Sequence, residues 1–182
     1  MKIKNKKTTL FIGRFQPFHN GHLFVFKNLL SDYSKIKIVI GSAQEDYTLK
    51  NPLTVNERKI ILKKVLSSLG VKSNQYHVFQ LSDIETNSIW PKYIANKVGY
   101  FDEVVTSSPL IKILFEDNGF KVREYPLFQR KKYSGSEIRR RILRNKNWDN
   151  LLPASVFTYL KKNNFEYRLK ELNNTDNKYI KW

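Results

Sequence analysis

The feature that most constrains the fold of this chain is a regular alternation of short β-strand patterns with helical patterns. Apolar runs rich in β-branched residues recur at five places, each followed by a polar or glycine-containing loop: residues 8–12, 35–40, 76–81, 103–106 and 121–123. Helix-start signals lie between them, since Thr54 and Glu57 form a capping box and Ser108 precedes Pro109. Such alternation favours right-handed crossovers. The sequence therefore predicts a doubly wound α/β domain with a parallel five-stranded sheet, helices on both faces, and ligands beyond the carboxyl ends of the strands.

The C-terminal third of the chain predicts a helical extension of this domain. Helical patterns cover about residues 136–145 and 153–163, and a segment rich in Asn, Lys and Glu follows. We expect that segment to be a poorly ordered polar tail. A length of 182 residues suits one hydrophobic core. The predicted organisation is one domain over residues 1–165 and a tail over residues 166–182.

Composition excludes several classes of protein. The sequence has no cysteine, which excludes disulfides, Cys-ligated zinc and thiol catalysis and fits a reducing compartment, so we expect a cytoplasmic protein. It also lacks an apolar run long enough to span a bilayer, so we expect no membrane partner. The net charge of +17 attracts polyanions, which include nucleic acids and phosphorylated small molecules. Charge alone does not choose between them.

A loop with two histidines follows the first predicted strand. It reads Gly13-Arg14-Phe15-Gln16-Pro17-Phe18-His19-Asn20-Gly21-His22. A glycine-containing loop before a helix presents N–H groups and a positive helix end to an anion, and His19 and His22 can converge on one phosphate. The alternative roles, a core histidine and a helix cap, are less favoured because two of the chain's three histidines lie in this one loop. No third nitrogen or sulfur ligand lies at a suitable spacing for zinc. The loop predicts a phosphate-binding site.

A second motif lies near the start of the predicted C-terminal helices. It reads Tyr133-Ser134-Gly135-Ser136-Glu137-Ile138-Arg139-Arg140-Arg141. Ser134 and Glu137 form a further capping box, so we expect a helix to begin near Gly135. Its first turn would present free N–H groups, the hydroxyls of Ser134 and Ser136, and the Arg139 guanidinium. This arrangement predicts a cradle for the outer phosphates of a nucleotide.

Together the two motifs resemble the nucleotidyltransferase superfamily, whose members pair a G-x-F-x-P-x-H-x-G-H loop with an S-x-S/T-x-[IV]-R helix start. Further segments resemble the archaeal-type nicotinamide-mononucleotide (NMN) adenylyltransferases in particular: residues 41–44, 51–58, 83–90 and 148–153. The similarity runs from about residue 10 to residue 160. It implies a Rossmann-like fold, adenylyl transfer from ATP to NMN to give NAD and pyrophosphate, and a homo-oligomer.

The resemblance also implies roles for individual residues. The catalytic residues would be His19, His22 and Arg139. The ATP site would comprise Gly13, Arg14, Phe15, His19, His22, Ser134, Gly135, Ser136 and Arg139. The NMN site would comprise Gly41, Gln44, Lys50, Asp83, Asn87 and Trp90, with Trp90 stacked on the nicotinamide ring. Mg²⁺ would be bound mainly through the ATP phosphates, with no protein metal ligand.

Two alternatives remain open at this point. Enzymes that adenylylate nicotinate mononucleotide, FMN or phosphopantetheine share the histidine loop, although the segment with Asn87 and Trp90 favours a pyridine nucleotide. A basic nucleic-acid-binding module would explain the charge. It would leave both phosphate motifs unused, however, and the sequence has no recognised helix-turn-helix or ribonucleoprotein motif. We therefore do not expect nucleic acid to be a partner.

Overall fold

The computed structural model describes residues 7–125, 128–129 and 131–179, with side chains as far as residue 175. Its contacts divide the chain into two compact units. The first, here called the sheet unit, comprises Met1–Gly13, Phe24–Gln44 and Val71–Leu127. The second, here called the helical unit, comprises Arg14–Leu23, Glu45–Gly70 and Phe128–Trp182. The described residues form seven α-helices: α1 (Asn20–Asp32), α2 (Val55–Ser68), α3 (Trp90–Val98), α4 (Pro109–Asp117), α5 (Gly135–Leu143), α6 (Ala154–Lys162) and α7 (Phe165–Tyr179).

The sheet unit contains a five-stranded parallel sheet. Its strands are β1 (Thr8–Gly13), β2 (Lys35–Ile40), β3 (Tyr76–Gln80), β4 (Glu103–Thr106) and β5 (Val122–Glu124). Their order is β3-β2-β1-β4-β5, and every neighbouring pair is parallel. The order reverses between β1 and β4, and the carboxyl ends of strands at such a switch point are where doubly wound sheets bind ligands. The predicted sheet is confirmed, with β5 displaced by one residue from the prediction.

Helices cover both faces of this sheet, as the sequence predicted. Leu10 and Phe11 are consecutive in β1 and therefore point to opposite faces. On one face the Phe26 ring of α1 meets Phe11 edge-on, with 5.2 Å between ring centroids. On the other face Leu10 belongs to a core cluster with Ile94 of α3 and Phe115 of α4. A fully buried side chain of this size contributes roughly 1.5–3 kcal/mol, so both helical layers stabilise the sheet.

Two of the predicted helix starts are formed as expected. The Thr54 hydroxyl accepts a hydrogen bond from the Glu57 N–H, and the Glu57 carboxylate accepts one from the Thr54 N–H, which completes the capping box of α2. Ser108 caps α4 and Pro109 occupies its first turn. These local signals were reliable because each acts within one turn of helix.

The helical unit packs α2 against α6, and α7 against both α5 and α6. Helix α7 occupies most of the segment that we expected to be a poorly ordered tail, so that expectation is wrong as far as residue 179. The segment forms a packed helix because it carries a short apolar stripe. Phe165 and Leu169 lie one turn apart and are 1% and 0% exposed. The domain boundary at residue 165 stays a prediction. Within the described ranges, no helix is both long and apolar enough to cross a membrane.

Candidate active site

The two predicted catalytic histidines form a stacked pair in the helical unit. Their ring centroids lie 3.6 Å apart and their planes differ by 22°. The His19 N–H donates to His22 Nδ1 at 3.2 Å, and the His22 N–H donates to His19 Nδ1 at 3.3 Å. Because each Nδ1 accepts a hydrogen bond, the proton of each neutral ring belongs on Nε2. The pair therefore offers two adjacent Nε2–H donors.

Burial keeps these imidazoles neutral at pH 7. Desolvation lowers the pKa of His19 from 6.5 to about 3. Desolvation, with a smaller contribution from His19, lowers the pKa of His22 well below its ordinary value. Neutral donors bind phosphate oxygens by hydrogen bonding, so the positive charge of this region must come from other side chains.

Aromatic packing holds the histidine pair in place. The ring of His22 lies 5.0 Å from that of Phe15 and 5.2 Å from that of Phe18, centroid to centroid. Phe15 has a φ of 52°, in the left-handed region that bulky residues rarely adopt, and its side chain is 1% exposed. The structure thus places Phe15, predicted to be an ATP-binding residue, as packing beneath His22. It also places His22 in the first turn of α1 instead of in the preceding loop.

Gly21 lies against the histidine pair. A Cβ at this position would lie 3.0 Å from the His19 ring and 3.2 Å from Cβ of Tyr133. Contacts this short would displace the His19 ring, so the close stacking needs a residue without a side chain. The glycine of the motif therefore has a steric role that spacing alone did not show.

The second motif forms the start of α5, as predicted, but its capping box is only half formed. The Ser134 hydroxyl accepts from the Glu137 N–H at 3.2 Å and lies 3.2 Å from the Ser136 hydroxyl. The Glu137 carboxylate instead binds Arg140 and Arg141 at 2.6–2.8 Å. Arginines three and four residues later compete successfully for this carboxylate. The predicted reciprocal bond from Glu137 is therefore wrong, whereas the helix start near Gly135 is confirmed.

Arg139 connects the second motif to the first. Its Nη1 donates to the Gln16 carbonyl oxygen at 2.6 Å. A Cβ on Gly135 would lie 2.6 Å from that same oxygen, so the two motifs lie too close together here to leave room for a side chain. Burial, followed by repulsion from Arg14, lowers the pKa of Arg139 to about 10. No carboxylate of the described residues forms a salt bridge with Arg14 or Arg139. Uncompensated positive charge beside a helix N-terminus is an environment that favours anions, so this arrangement fits the predicted phosphate site, which stays a prediction.

Two residues that the sequence did not single out anchor the histidine loop to residues 45–58. Gln16 is 5% exposed, and its amide exchanges two hydrogen bonds with the backbone of Leu53, at 2.8 and 2.9 Å. Arg58 is fully buried and donates to the carbonyl oxygens of Arg14 at 3.2 Å and of Glu45 at 3.4 Å. The available signal for Arg58 was its position in α2, because it precedes the buried Ile61 by three residues and so lies on the apolar stripe.

Three of the residues predicted to bind NMN lie together in the sheet unit. Gly41 follows β2, and its N–H donates to the carbonyl oxygen of Gly13 at 3.1 Å. The Gln44 amide donates to an Asp83 carboxylate oxygen at 3.3 Å and accepts from the Asp83 N–H at 3.0 Å. The Ser42 N–H donates to the other carboxylate oxygen at 3.3 Å. Asp83 therefore orients Gln44, which the sequence could not show.

The other residues predicted to bind NMN are placed separately. Asn87 is exposed in a 3-10 turn, and Trp90 begins α3 with its ring edge-on to Phe115 at 5.8 Å. Lys50 is exposed in the helical unit. Within the described ranges, no hydrogen bond joins Lys50, Asn87 or Trp90 to another of the six predicted residues. Their roles stay predictions.

The described residues contain no group of three or more His, Asp or Glu side chains that could hold a metal ion. The donors around the histidine pair are instead imidazoles and guanidiniums, which suit phosphate oxygens. The prediction that a divalent ion is held mainly through the ATP phosphates fits this donor set and stays a prediction.

Known proteins with similar sequences identify the family of this chain. The cytidylyltransferase-like family matches residues 10–141. A nicotinamide-nucleotide adenylyltransferase of Methanococcus aeolicus is 41% identical over 167 residues, which cover 92% of this chain and 95% of the relative. The protein of the same name from Methanolobus tindarius is 38% identical and covers 95% of this chain and 98% of its own length. The chain belongs to the nicotinamide-nucleotide adenylyltransferases of the cytidylyltransferase-like family. The predicted family is therefore confirmed.

A solved structure supports the fold assigned to this family member. A bifunctional NMN adenylyltransferase/ADP ribose pyrophosphatase from Francisella tularensis, crystallised with AMP and a manganese ion, superposes with a TM-score of 0.79 at 21% identity. The match covers 95% of this chain and 53% of that one, so the chain spans about half the length of the bifunctional protein. The likeness confirms the Rossmann-like α/β fold.

Proposed function

We propose that this protein transfers AMP from ATP to NMN and so produces NAD and pyrophosphate. The observation that carries the proposal is the stacked, neutral histidine pair in the same unit as the guanidiniums of Arg14 and Arg139, which form no salt bridge within the described residues. Curated relatives with the corresponding name share about two fifths of the sequence over most of both chains.

The proposed reaction needs little proton chemistry from the protein. A phosphate monoester has its second pKa at about 6, so the NMN phosphate is already largely a dianion at pH 7. One of its oxygens attacks the α-phosphorus of ATP, and the bond between that phosphorus and the oxygen bridging to the β-phosphate breaks. Pyrophosphate leaves with the electron pair. Catalysis then depends on alignment and on stabilising the charge of the transition state.

The histidine pair and Arg139 would supply this stabilisation. The two Nε2–H groups donate to phosphate oxygens around the breaking bond, and their neutrality avoids the cost of burying an imidazolium before ATP arrives. Arg139 is fixed by the Gln16 carbonyl through Nη1, which leaves its other N–H groups for the outer phosphates. The first-turn N–H groups of α5 and the hydroxyls of Ser134 and Ser136 would complete the ATP site.

For the NMN site we propose that Asp83, predicted to bind NMN, acts indirectly by orienting Gln44. Gln44 would contact the mononucleotide, and Asp83 would hold the Gln44 amide in a single orientation. Gly41 would admit the nucleotide closely, since no non-adjacent atom of the described residues would lie within 4 Å of a Cβ placed there. Asn87 and Trp90 would bind the nicotinamide, and Lys50 the phosphate.

The surroundings of the reaction are also proposals. We propose that Mg²⁺ accompanies ATP and supplies charge neutralisation on its phosphates. The absence of cysteine favours the cytoplasm, and the family resemblance favours a homo-oligomer. Light scattering of the purified protein would give its oligomeric state.

The test is a product assay with competing co-substrates. Purified protein is incubated with Mg-ATP and, separately, NMN, nicotinate mononucleotide, FMN or phosphopantetheine, and each product is identified by mass. We expect NAD with NMN. Adenylylation of FMN or phosphopantetheine alone would refute the substrate assignment, and no product with any of them would refute the activity.

A further inference from the structure

Arg168 lies on α7, in the segment that the sequence predicted to be a polar tail. We infer that Arg168 is a positioning residue for the ATP site, because it holds residues 45–54, here called the bridging segment, in the conformation that fixes Gln16 and Arg139. The inference rests on the proposed function for its kinetic consequence, but its structural consequence can be measured without any substrate.

The Arg168 side chain makes three contacts that converge on the bridging segment. Its Nη1 donates to the carbonyl oxygen of Pro52 at 3.2 Å and to Glu57 Oε2 at 2.8 Å. Its guanidinium lies over the ring of Tyr47, 4.9 Å from the ring centroid. The side chain is only 19% exposed, so these contacts are partly shielded from water. One guanidinium therefore links α7 to Tyr47 near the beginning of the segment and to Pro52 near its end.

Glu57 extends this connection to the beginning of α2. Its Oε2, which binds Arg168, also accepts from the Thr54 N–H at 2.9 Å and from the Thr54 hydroxyl at 3.1 Å. Burial raises the pKa of Glu57, but the hydrogen bonds from Arg168 and Thr54 outweigh it and hold the pKa below its ordinary value. Glu57 is therefore ionised at neutral pH, where the enzyme would work, and can pair with Arg168.

The bridging segment leads from Arg168 to the phosphate site. Leu53 follows Pro52 directly and binds the Gln16 amide through both its N–H and its carbonyl oxygen. The Gln16 carbonyl oxygen in turn accepts the 2.6 Å hydrogen bond from Arg139. A continuous set of polar contacts thus runs from α7 through Pro52 and Leu53 to the Arg139 guanidinium, entirely within the helical unit.

Loss of Arg168 should release the bridging segment at Tyr47 and at Pro52. The segment would keep its contact with Arg58 through Glu45, but Tyr47 and Pro52 would lose their common partner. ATP would then bind only the fraction of molecules with an ordered segment, and its apparent affinity would fall by that fraction. Once ATP is bound the transition-state contacts are restored, so kcat should change little.

The test compares Arg168→Ala with a matched change on the same helix. Lys170→Ala is the control, because Lys170 is exposed and hydrogen-bonds Asn145 instead of the bridging segment. We expect Arg168→Ala to raise KM for ATP about tenfold with kcat within about threefold, and Lys170→Ala to leave both unchanged. Arg168→Lys keeps the charge but not the planar guanidinium over Tyr47, so it should recover only part of the loss.

A second readout uses no nucleotide. Lys50 is exposed in the bridging segment, so a lysine-specific protease should cleave the Arg168→Ala chain after Lys50 about ten times faster than the parent or the Lys170→Ala chain. Faster cleavage without any NAD formation by the parent protein would support the positioning role and refute the proposed function. Unchanged cleavage together with unchanged KM for ATP would overturn the inference, as would equal effects at Lys170.

One further variant covers the case in which Arg168→Ala fails to fold. Tyr47→Leu removes only the aromatic face beneath the guanidinium, at a residue that is 55% exposed. We expect this variant to fold, to raise KM for ATP severalfold and to be cleaved faster after Lys50. A Tyr47→Leu protein with the parent's KM and cleavage rate would overturn the inference.

Discussion

Replacement of Gly135 by alanine tests whether the start of α5 and the histidine loop form one rigid phosphate cradle. The new Cβ would lie 2.6 Å from the Gln16 carbonyl oxygen and 3.1 Å from Arg139 Nη1. A carbon in contact with a carbonyl oxygen normally stays about 3.3–3.6 Å away, so the backbone must move by about 0.7–1 Å. The movement would stretch the bond between Arg139 and Gln16.

The expected cost follows from these distances. Overpacking of this kind costs about 1–3 kcal/mol, and the better helix propensity of alanine returns at most about 1 kcal/mol. We therefore expect the free energy of unfolding to fall by about 1–2 kcal/mol. A misplacement of about 1 Å in a catalytic site can lower the rate about a hundredfold. We therefore expect the increase in the activation free energy, measured from kcat, to exceed the decrease in the free energy of unfolding.

Gly41→Ala provides the control for this experiment. A Cβ there would lie more than 4 Å from every non-adjacent atom in the described part of the chain, and neither glycine is among those with a positive φ. Urea unfolding should give Gly41→Ala the parent's stability or slightly more, while its KM for NMN should rise if the nucleotide lies against Gly41. A Gly135→Ala protein with the stability and kcat of the parent would refute the close approach of the two motifs.

Three further predictions concern the charged and aromatic groups of the site. The pKa of His19 is about 3 in the folded protein and about 6.5 in the unfolded protein, so the free energy of unfolding should fall as pH drops from about 6.5 towards 3, by up to about 1.4 kcal/mol per pH unit for each histidine. Urea unfolding at several pH values should show a shallower dependence of stability on pH in His22→Asn, and equal slopes in this variant and the parent would contradict the prediction. Arg139→Lys should raise KM for ATP at least tenfold, whereas Arg140→Lys, at an exposed ion pair, should leave KM for ATP unchanged. Equal effects of the two changes would mean that the arginines attract ATP through their overall positive charge and not through specific contacts of Arg139. Trp90→Ala should raise KM for NMN by roughly 5–30-fold and leave KM for ATP within about twofold of the parent value. Equal changes for both substrates would mean that Trp90 serves only to pack against Phe115.

The parts of this molecule that could be predicted from sequence depend on short-range rules. All five strands and the capping box of α2 follow from patterns within a few residues, and the structure confirms them. The phosphate motifs could also be found, because their spacing is fixed by the turn from strand to helix.

The parts that could not be predicted depend on contacts between distant residues. The Gln16 amide binds Leu53, and the Arg139 guanidinium binds Gln16, across separations that no periodicity encodes. Helix α7 looked like a polar tail because its buried stripe is short, and only packing against α5 and α6 shows that it is ordered. The capping box at Ser134 is incomplete for a local reason, because two arginines of the same helix bind the Glu137 carboxylate.

The measurement that tests the central claim most directly follows the phosphates of ATP. The protein is incubated with NMN and ATP labelled either in the α-phosphate or in the γ-phosphate, and the products are separated. Attack on the α-phosphorus predicts that the α label appears in NAD and the γ label in pyrophosphate. Transfer of the γ label to the mononucleotide, or α label that stays in free AMP, would contradict the proposed reaction.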